Sequence, residues 1–305
     1  ALFFEIDSMV PLDDVRFAFL IGRGEYEVEG RKYSRLRTMK LRGELSQGLV
    51  LSLDDFKNDI AEIVGSVTLA EVLGVIKYDP PESNHHSNRL KSGQAGGAFP
   101  SFIHKTDQER IQNIVRSYNE AAFNDEPFEI TYKLDGSSTT VYVNENTFGV
   151  CSRNINLKIP QDWNEADSHF IQAAVKAGWL FKLILIKLAT GRNLAFQGEL
   201  CGPGIQNNFE GLDQHELFLY DIFDIDTQRY LLPMDRIELA IKYDIDHVPF
   251  FESLAVLPLD INECLLLADG ESGLNGKYRE GLVFKSHIRD FSFKCISNAY
   301  LLKEK

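Results

Sequence analysis

The sequence lacks the features that would place it in a membrane-spanning or disulfide-built class. It has no run of roughly 18 apolar residues free of charge. The longest greasy patch, residues 174–189, is broken by Lys176, Lys182 and Lys187 and reads as a buried amphipathic helix. The four cysteines, Cys151, Cys201, Cys264 and Cys295, are scattered with no CxxC spacing. That argues against structural zinc and gives no disulfide framework, so buried free thiols in a reducing, intracellular setting are expected. Signal peptide, fixed repeat and low-complexity tract are all missing. So is an initiator Met, and the natural N-terminus is expected to have been removed or not to be represented.

Basic residues are outnumbered, 32 Lys and Arg against 45 Asp and Glu. The net charge is −13, which taken alone argues against a nucleic-acid partner, because phosphates call for a basic footprint. One stretch departs from this balance. From Arg31 to Arg42, arginines and lysines alternate with Tyr33 and apolar residues, with no acid among them. This stretch is either a solvated strand face or a local surface that tracks phosphates.

What is present is 305 residues with 44% apolar and 25% charged composition, enough for two domains. Residues 1–78 read as mostly β: runs at 2–6, 15–21, 25–29 and 49–53, punctuated by glycines, fit a small barrel. Residues 79–100, rich in Pro, Gly, Ser and Asn, read as a linker, with His85 and His86 as solvated loop rather than metal ligands. The domains are expected at 1–98 and 99–305. Thr106 to Glu109 fits a capping box ahead of a helix carrying Ile111, Ile114, Val115 and Tyr118 on one stripe. Strands are expected at 128–134, 139–143, 147–151, 194–200, 216–224, 281–285 and 291–295, with helices over 167–189, 234–242 and 259–268. The class is α+β.

Residues 128–138 form a strand that runs into Lys133-Leu134-Asp135-Gly136. A lysine at a strand end can be held rigidly against a phosphate, and its amine is nucleophilic once deprotonated. Asp135, two residues on, points to the same face if the chain stays extended and can help organise a metal there. Gly136 permits the tight turn that follows.

These residues resemble motif I of the covalent nucleotidyltransferases, the superfamily of DNA ligases, RNA ligases and mRNA capping enzymes. Five further stretches match in the order that superfamily shows. Residues 151–154 resemble the segment whose arginine, here Arg153, holds nucleotide and phosphates. Residues 196–208 resemble the strand with an essential glutamate, Glu199. Residues 217–224 resemble the strand that sets an aromatic against adenine, with Tyr220 favoured and Phe218 the alternative. Residues 280–285 resemble motif IV, with Glu280 as the second essential acid. Residues 291–298 resemble motif V, with Lys294 on the ATP phosphates. Related ligases often read Lys-x-Lys in motif V; here Ile296 stands at the second position, leaving Lys285 or Lys303 as a second cation, or none.

Within the superfamily, the sequence is most similar to RNA ligases. Ser138 stands where DNA ligases and capping enzymes usually carry an arginine. Residues 198–206 resemble end-joining, nick-sealing RNA ligases. Only eleven residues follow Lys294, so the OB-type module that other branches place after motif V is not expected there, and residues 37–50 resemble the N-terminal region of RNA ligases with an upstream OB-type module. The resemblance implies an antiparallel adenylation domain with flanking helices. It also implies an ATP-dependent ligase acting through lysyl-AMP on Lys133 and an RNA-adenylate. Asp135, Glu199 and Glu280 would hold Mg²⁺ or Mn²⁺, and Lys133, Asp135, Glu199, Glu280 and Lys294 would do the chemistry. The partner is RNA with 3′-OH and 5′-phosphate ends, a nicked duplex being favoured, and the protein is expected to act as a monomer off the membrane. A GTP-using capping-type enzyme and an inactive RNA-binding relative are the competing readings.

Overall fold

The structure, a computed structural model, describes residues 1–22, 25–41, 44–63, 67–78, 95–163 and 166–303, without the side chains of residues 40, 41, 44, 45 and 303. His85, His86 and most of the expected linker lie outside the described residues. The chain divides into two compact units, Ala1–Pro81 with Leu301–Lys305, and Glu82–Tyr300.

In the first unit, Glu25–Val28, Arg31–Arg35, Ser8–Pro11 and Ile76–Lys77 form a four-stranded sheet in that order. Leu2–Glu5 pairs antiparallel with Gly48–Leu51. Phe4, Val10, Phe17, Leu20, Leu36, Phe56 and Leu73 make its core. Residues 15–21, expected as a strand, instead form a 3₁₀ helix, Val15–Leu20, started by the Asp14 carboxylate accepting the Arg16 N–H. A local side-chain cap here outweighs the β-rich composition. In the basic stretch, Arg31 pairs with Asp13 at 2.8 Å and Arg35 with Asp7 at 2.6 Å.

The second unit is built on two mainly antiparallel sheets. The seven-stranded sheet runs Arg229–Tyr230, Glu216–Asp224, Leu194–Cys201, Ser137–Asn144, Thr147–Cys151, Ile155–Leu157, Ala95–Ala98. The last of these lies within the expected linker. Ala-Gly-Gly-Ala reads as linker, yet it pairs as an edge strand with Ile155–Leu157, because pairing needs only backbone groups. The five-stranded sheet runs Glu109–Arg110, Ser292–Ile296, Gly281–Ser286, Pro127–Lys133, Phe250–Val256.

Period-two alternation decides what each sheet buries. On the five-stranded sheet, Phe128, Ile130, Leu282, Phe284, Phe293 and Cys295 form a core with Tyr118 and Cys264. The opposite face therefore carries Glu129, Thr131 and Lys133, with Val283 and Lys285 opposite Thr131 and Glu129, and Lys294 opposite Val283. On the seven-stranded sheet, Val141, Val143, Phe196, Leu200, Leu217 and Leu219 pack under helices with Ile171, Trp179, Leu183 and Ile186. Its other face bears Ser138, Thr140, Gln197 and Glu199.

Two helix expectations are corrected. Residues 167–189 form two helices, His169–Lys176 and Trp179–Thr190, because Gly178 sits at φ 65° between them. The second helix buries Trp179, Leu183 and Ile186 but leaves Phe181 and Leu188 exposed. Thr106 caps no helix. Its hydroxyl bonds Gln197 Oε1 and Tyr230 Oη, and the helix begins later, as Val115–Phe123.

Candidate active site

Strand Pro127–Lys133 ends on Lys133, whose Nζ donates to Glu280 Oε1 at 2.7 Å. Glu280 is brought there by register: Gly281, its neighbour, is directly opposite Lys133. Burial disfavours the lysine charge, but Glu280, Glu199 and Asp135 together outweigh it and raise the Lys133 pKa. The carboxyl groups respond the other way. Burial pushes Glu199 up to about 8 and Asp135 up to about 7, the neighbouring Glu280 adding to both against the lowering pull of Lys133. One cation thus faces three acids.

Asp135 lies past the strand end, so a loop rather than an extended strand aims it. Its N–H donates to Glu210 Oε1 at 2.9 Å, and its Oδ2 accepts the Tyr300 hydroxyl at 2.9 Å. Gly136 is required for a different reason than the expected turn. Its φ is not left-handed, but a Cβ there would overlap Leu200 O and come within 2.8 Å of Glu199 Cγ. Glycine lets the motif I backbone approach the Glu199 strand.

Tyr220 owes its aim to a β-bulge. The register between Glu216–Asp224 and Leu194–Cys201 shifts between Gln197 and Gly198, so Leu219 pairs with Gly198, Asp221 with Gln197, and Tyr220 is the extra residue. Tyr220 and Asp221 both turn toward the face that carries Glu199. The Tyr220 hydroxyl is 2.9 Å from Ser138 Oγ. Phe218 packs with Leu134, Cys201, Leu212 and Val248 in a small core. Tyr220 is half-buried while Phe218 is buried, so Tyr220 keeps surface for a planar ligand.

The candidate phosphate cations separate. Lys294 Nζ lies 3.2 Å from Asp107 Oδ1, and its pKa is lowered by burial and by the Lys133 ammonium. Arg153 is exposed in the turn between Thr147–Cys151 and Ile155–Leu157. Lys285 is already paired. It is buried, with Nζ on Asp221 Oδ1 at 2.6 Å and on the Tyr220 carbonyl at 2.5 Å. Alternation places it on the Lys133 face, but four residues further in, where Asp221 neutralises it. Lys303 lies outside the residues whose side chains are described. Among the described residues, no three His, Cys, Asp or Glu side chains are arranged to hold a metal ion. The donor set still fits a hard divalent cation, since it is all carboxylate oxygen and the buried Glu280 Oε2 has no hydrogen-bond partner.

An RNA ligase family model matches residues 126–296, and an OB-fold domain model matches residues 1–53. A comparison with curated proteins finds no match. Among solved structures, an apo variant of Naegleria gruberi RNA ligase is 39% identical over 98% of this chain and 84% of its own, with TM-score 0.83. A second variant of that ligase, with ATP and Mn, is 40% identical over 98% of this chain and 85% of its own, at TM-score 0.83. A third, with AMP and Mn, gives 40%, 98%, 85% and 0.84. The chain belongs to the RNA ligase family. It is an RNA-ligating enzyme with an N-terminal OB-fold domain and an α+β nucleotidyltransferase fold.

Sequence reasoning missed two groups in this ligase. Glu210 and Tyr300 touch Asp135 but belong to no motif, and only the fold brings them there. The other group is a buried polar cluster behind Tyr220. Arg236, fully buried, donates from Nη2 to both carboxylate oxygens of Glu129. Its Nε donates to His247 Nε2 at 3.0 Å, so that nitrogen is unprotonated and Nδ1–H donates to Val248 O at 2.7 Å. Burial and the nearby Arg236 push the His247 pKa down to about 3. A glutamate buried in mid-strand, as Glu129 is, was the available signal, since such a charge demands a partner. No helix among the described residues is long and apolar enough to cross a membrane.

Proposed function

We propose that this RNA ligase uses ATP to join a 3′-OH end to a 5′-phosphate end, through lysyl-AMP on Lys133 and then an RNA-adenylate, with a nicked RNA duplex as substrate. The carrying observation is Lys133 Nζ at a strand end, 2.7 Å from Glu280 and facing Glu199 and Asp135. In the first step Nζ attacks the α-phosphorus of ATP. A P–N bond forms, the bond to the bridging oxygen breaks, and pyrophosphate leaves in line. Tyr220 stacks on the adenine, and Lys294 and Arg153 neutralise phosphate oxygens. Asp135, Glu199 and Glu280 would hold Mg²⁺ or Mn²⁺, which when bound neutralises charge on the α-phosphate and favours the unprotonated amine. AMP then passes to the 5′-phosphate, and the 3′-OH displaces it. The Naegleria gruberi ligase structures with ATP and Mn, AMP and Mn, and PPi match the participants of the first step and support this reading.

The test is incubation with [α-³²P]ATP and Mg²⁺ or Mn²⁺, followed by a denaturing gel. Wild type is labelled and Lys133→Ala is not, while the variant retains part of the sealing of pre-adenylated RNA. GTP does not label the protein. Labelled Lys133→Ala would sink the assignment, and an unlabelled wild type with either metal would favour an RNA-binding relative.

A further inference from the structure

The turn that follows the Glu199 strand runs against conformational preference. Gln206, Asn207 and Asn208 have φ of 43°, 54° and 52°. These are three successive residues in the left-handed region, where side chains other than those of Asn and Asp are strained. The turn delivers Phe209 and Glu210. Glu210 is only 2% exposed, yet both of its oxygens are used. Oε1 accepts the Asp135 N–H at 2.9 Å and Oε2 accepts the Ser272 hydroxyl at 3.1 Å. Phe209 stands edge-on to Tyr300 with ring centroids 5.3 Å apart. The Tyr300 hydroxyl in turn donates to Asp135 Oδ2 at 2.9 Å. One strained turn therefore reaches Asp135 twice, by its backbone through Glu210 and by its carboxylate through Tyr300.

The structure assigns Glu210 as a positioning residue for Asp135, with Tyr300 as its counterpart on the carboxylate side. Asp135 lies between the end of strand Pro127–Lys133 and the start of Ser137–Asn144, so no sheet ladder fixes its backbone. A buried acceptor on its N–H does so instead. The inference rests on the proposed part of Asp135 in lysine adenylylation.

The experiment compares Glu210→Ala, Glu210→Gln, Tyr300→Phe and Asp135→Ala in the full chain. It measures amide hydrogen exchange together with the kinetics of label transfer from [α-³²P]ATP. In Glu210→Ala, the Asp135 amide exchanges faster while residues 127–133 stay protected. Label-transfer kcat falls on the order of 10- to 100-fold with KM for ATP little changed. Glu210→Gln keeps an acceptor for the Asp135 N–H and recovers most of the rate. Tyr300→Phe lowers kcat several-fold and carries the test with Glu210→Gln if Glu210→Ala does not fold. A wild-type kcat in Glu210→Ala overturns the inference. So does a loss of protection across the whole strand with no recovery in Glu210→Gln, which would mark a general structural role. Asp135→Ala that is labelled like wild type overturns the reading of Asp135 itself, a result distinguishable from the others.

Discussion

Lys133 Nζ and Glu280 Oε1 stand 2.7 Å apart, and the second carboxylate oxygen of Glu280 is buried without a hydrogen-bond partner. The proposed nucleophile therefore rests as one half of an ion pair, with its pKa raised by the three acids around it although burial opposes the charge. A raised lysine pKa favours folding fully below the unfolded value of about 10.4 and loses that contribution as pH climbs through the folded value. The same pair keeps the amine protonated at neutral pH, so chemistry must await its release.

From this follows the pH dependence of the first half-reaction. At saturating ATP and metal, single-turnover labelling of Lys133 should rise roughly tenfold per pH unit in the range where deprotonation limits it. Quench assays between pH 6 and 9 would show this, and a flat profile would mean that the amine is already free in the ATP-bound protein.

Glu199 and Asp135, pushed up to about 8 and about 7 by burial and by Glu280, make a stability prediction of definite sign. Between the usual carboxylate range near pH 4 and those values, the folded protein holds more protons than the unfolded chain, so stability falls as pH rises. Metal-free protein should therefore melt at lower temperature at pH 8 than at pH 5. Glu199→Gln should flatten the slope and gain a few degrees at pH 8 while losing label transfer. Equal melting of the two proteins at both pH values would contradict this.

Arg236 and Glu129 are both fully buried, so removing one leaves the other charged and alone. Arg236→Ala should cost about 3–5 kcal/mol of unfolding free energy, read by urea denaturation. A loss under about 1 kcal/mol would mean that water or another cation reaches Glu129.

Tyr220 and Phe218 lie on the same strand but should behave differently. Tyr220→Ala removes a stacking face worth roughly 1–3 kcal/mol and should raise KM for ATP by about 5- to 150-fold with modest loss of stability. Phe218→Ala should instead lower stability by about 3–5 kcal/mol with less effect on KM. Steady-state kinetics and melting curves on both variants separate the two roles, and the reverse pattern would move the adenine to Phe218.

The sequence by itself marked the long central strands of the second unit, because period-two alternation is a local signal, but it missed Phe250–Val256 and the short edge strands, which only pairing defines. It also marked Lys133 and Asp135 as candidates through their place at a strand end, and Glu199, Tyr220, Glu280 and Lys294 through their resemblance to the superfamily's motifs. Tertiary structure decided what spacing cannot carry. It paired Lys285 with Asp221, and it set Glu210 and Tyr300 against Asp135. It made Gly136 a point of close approach, and it turned Tyr220 inward through a one-residue bulge. It also overruled the expected cap at Thr106, whose hydroxyl bonds Gln197, 91 residues away. A local pattern states what a segment prefers. Which groups meet depends on contacts between residues far apart in the chain, and there the need of each buried charge or polar group for a partner selects the arrangement.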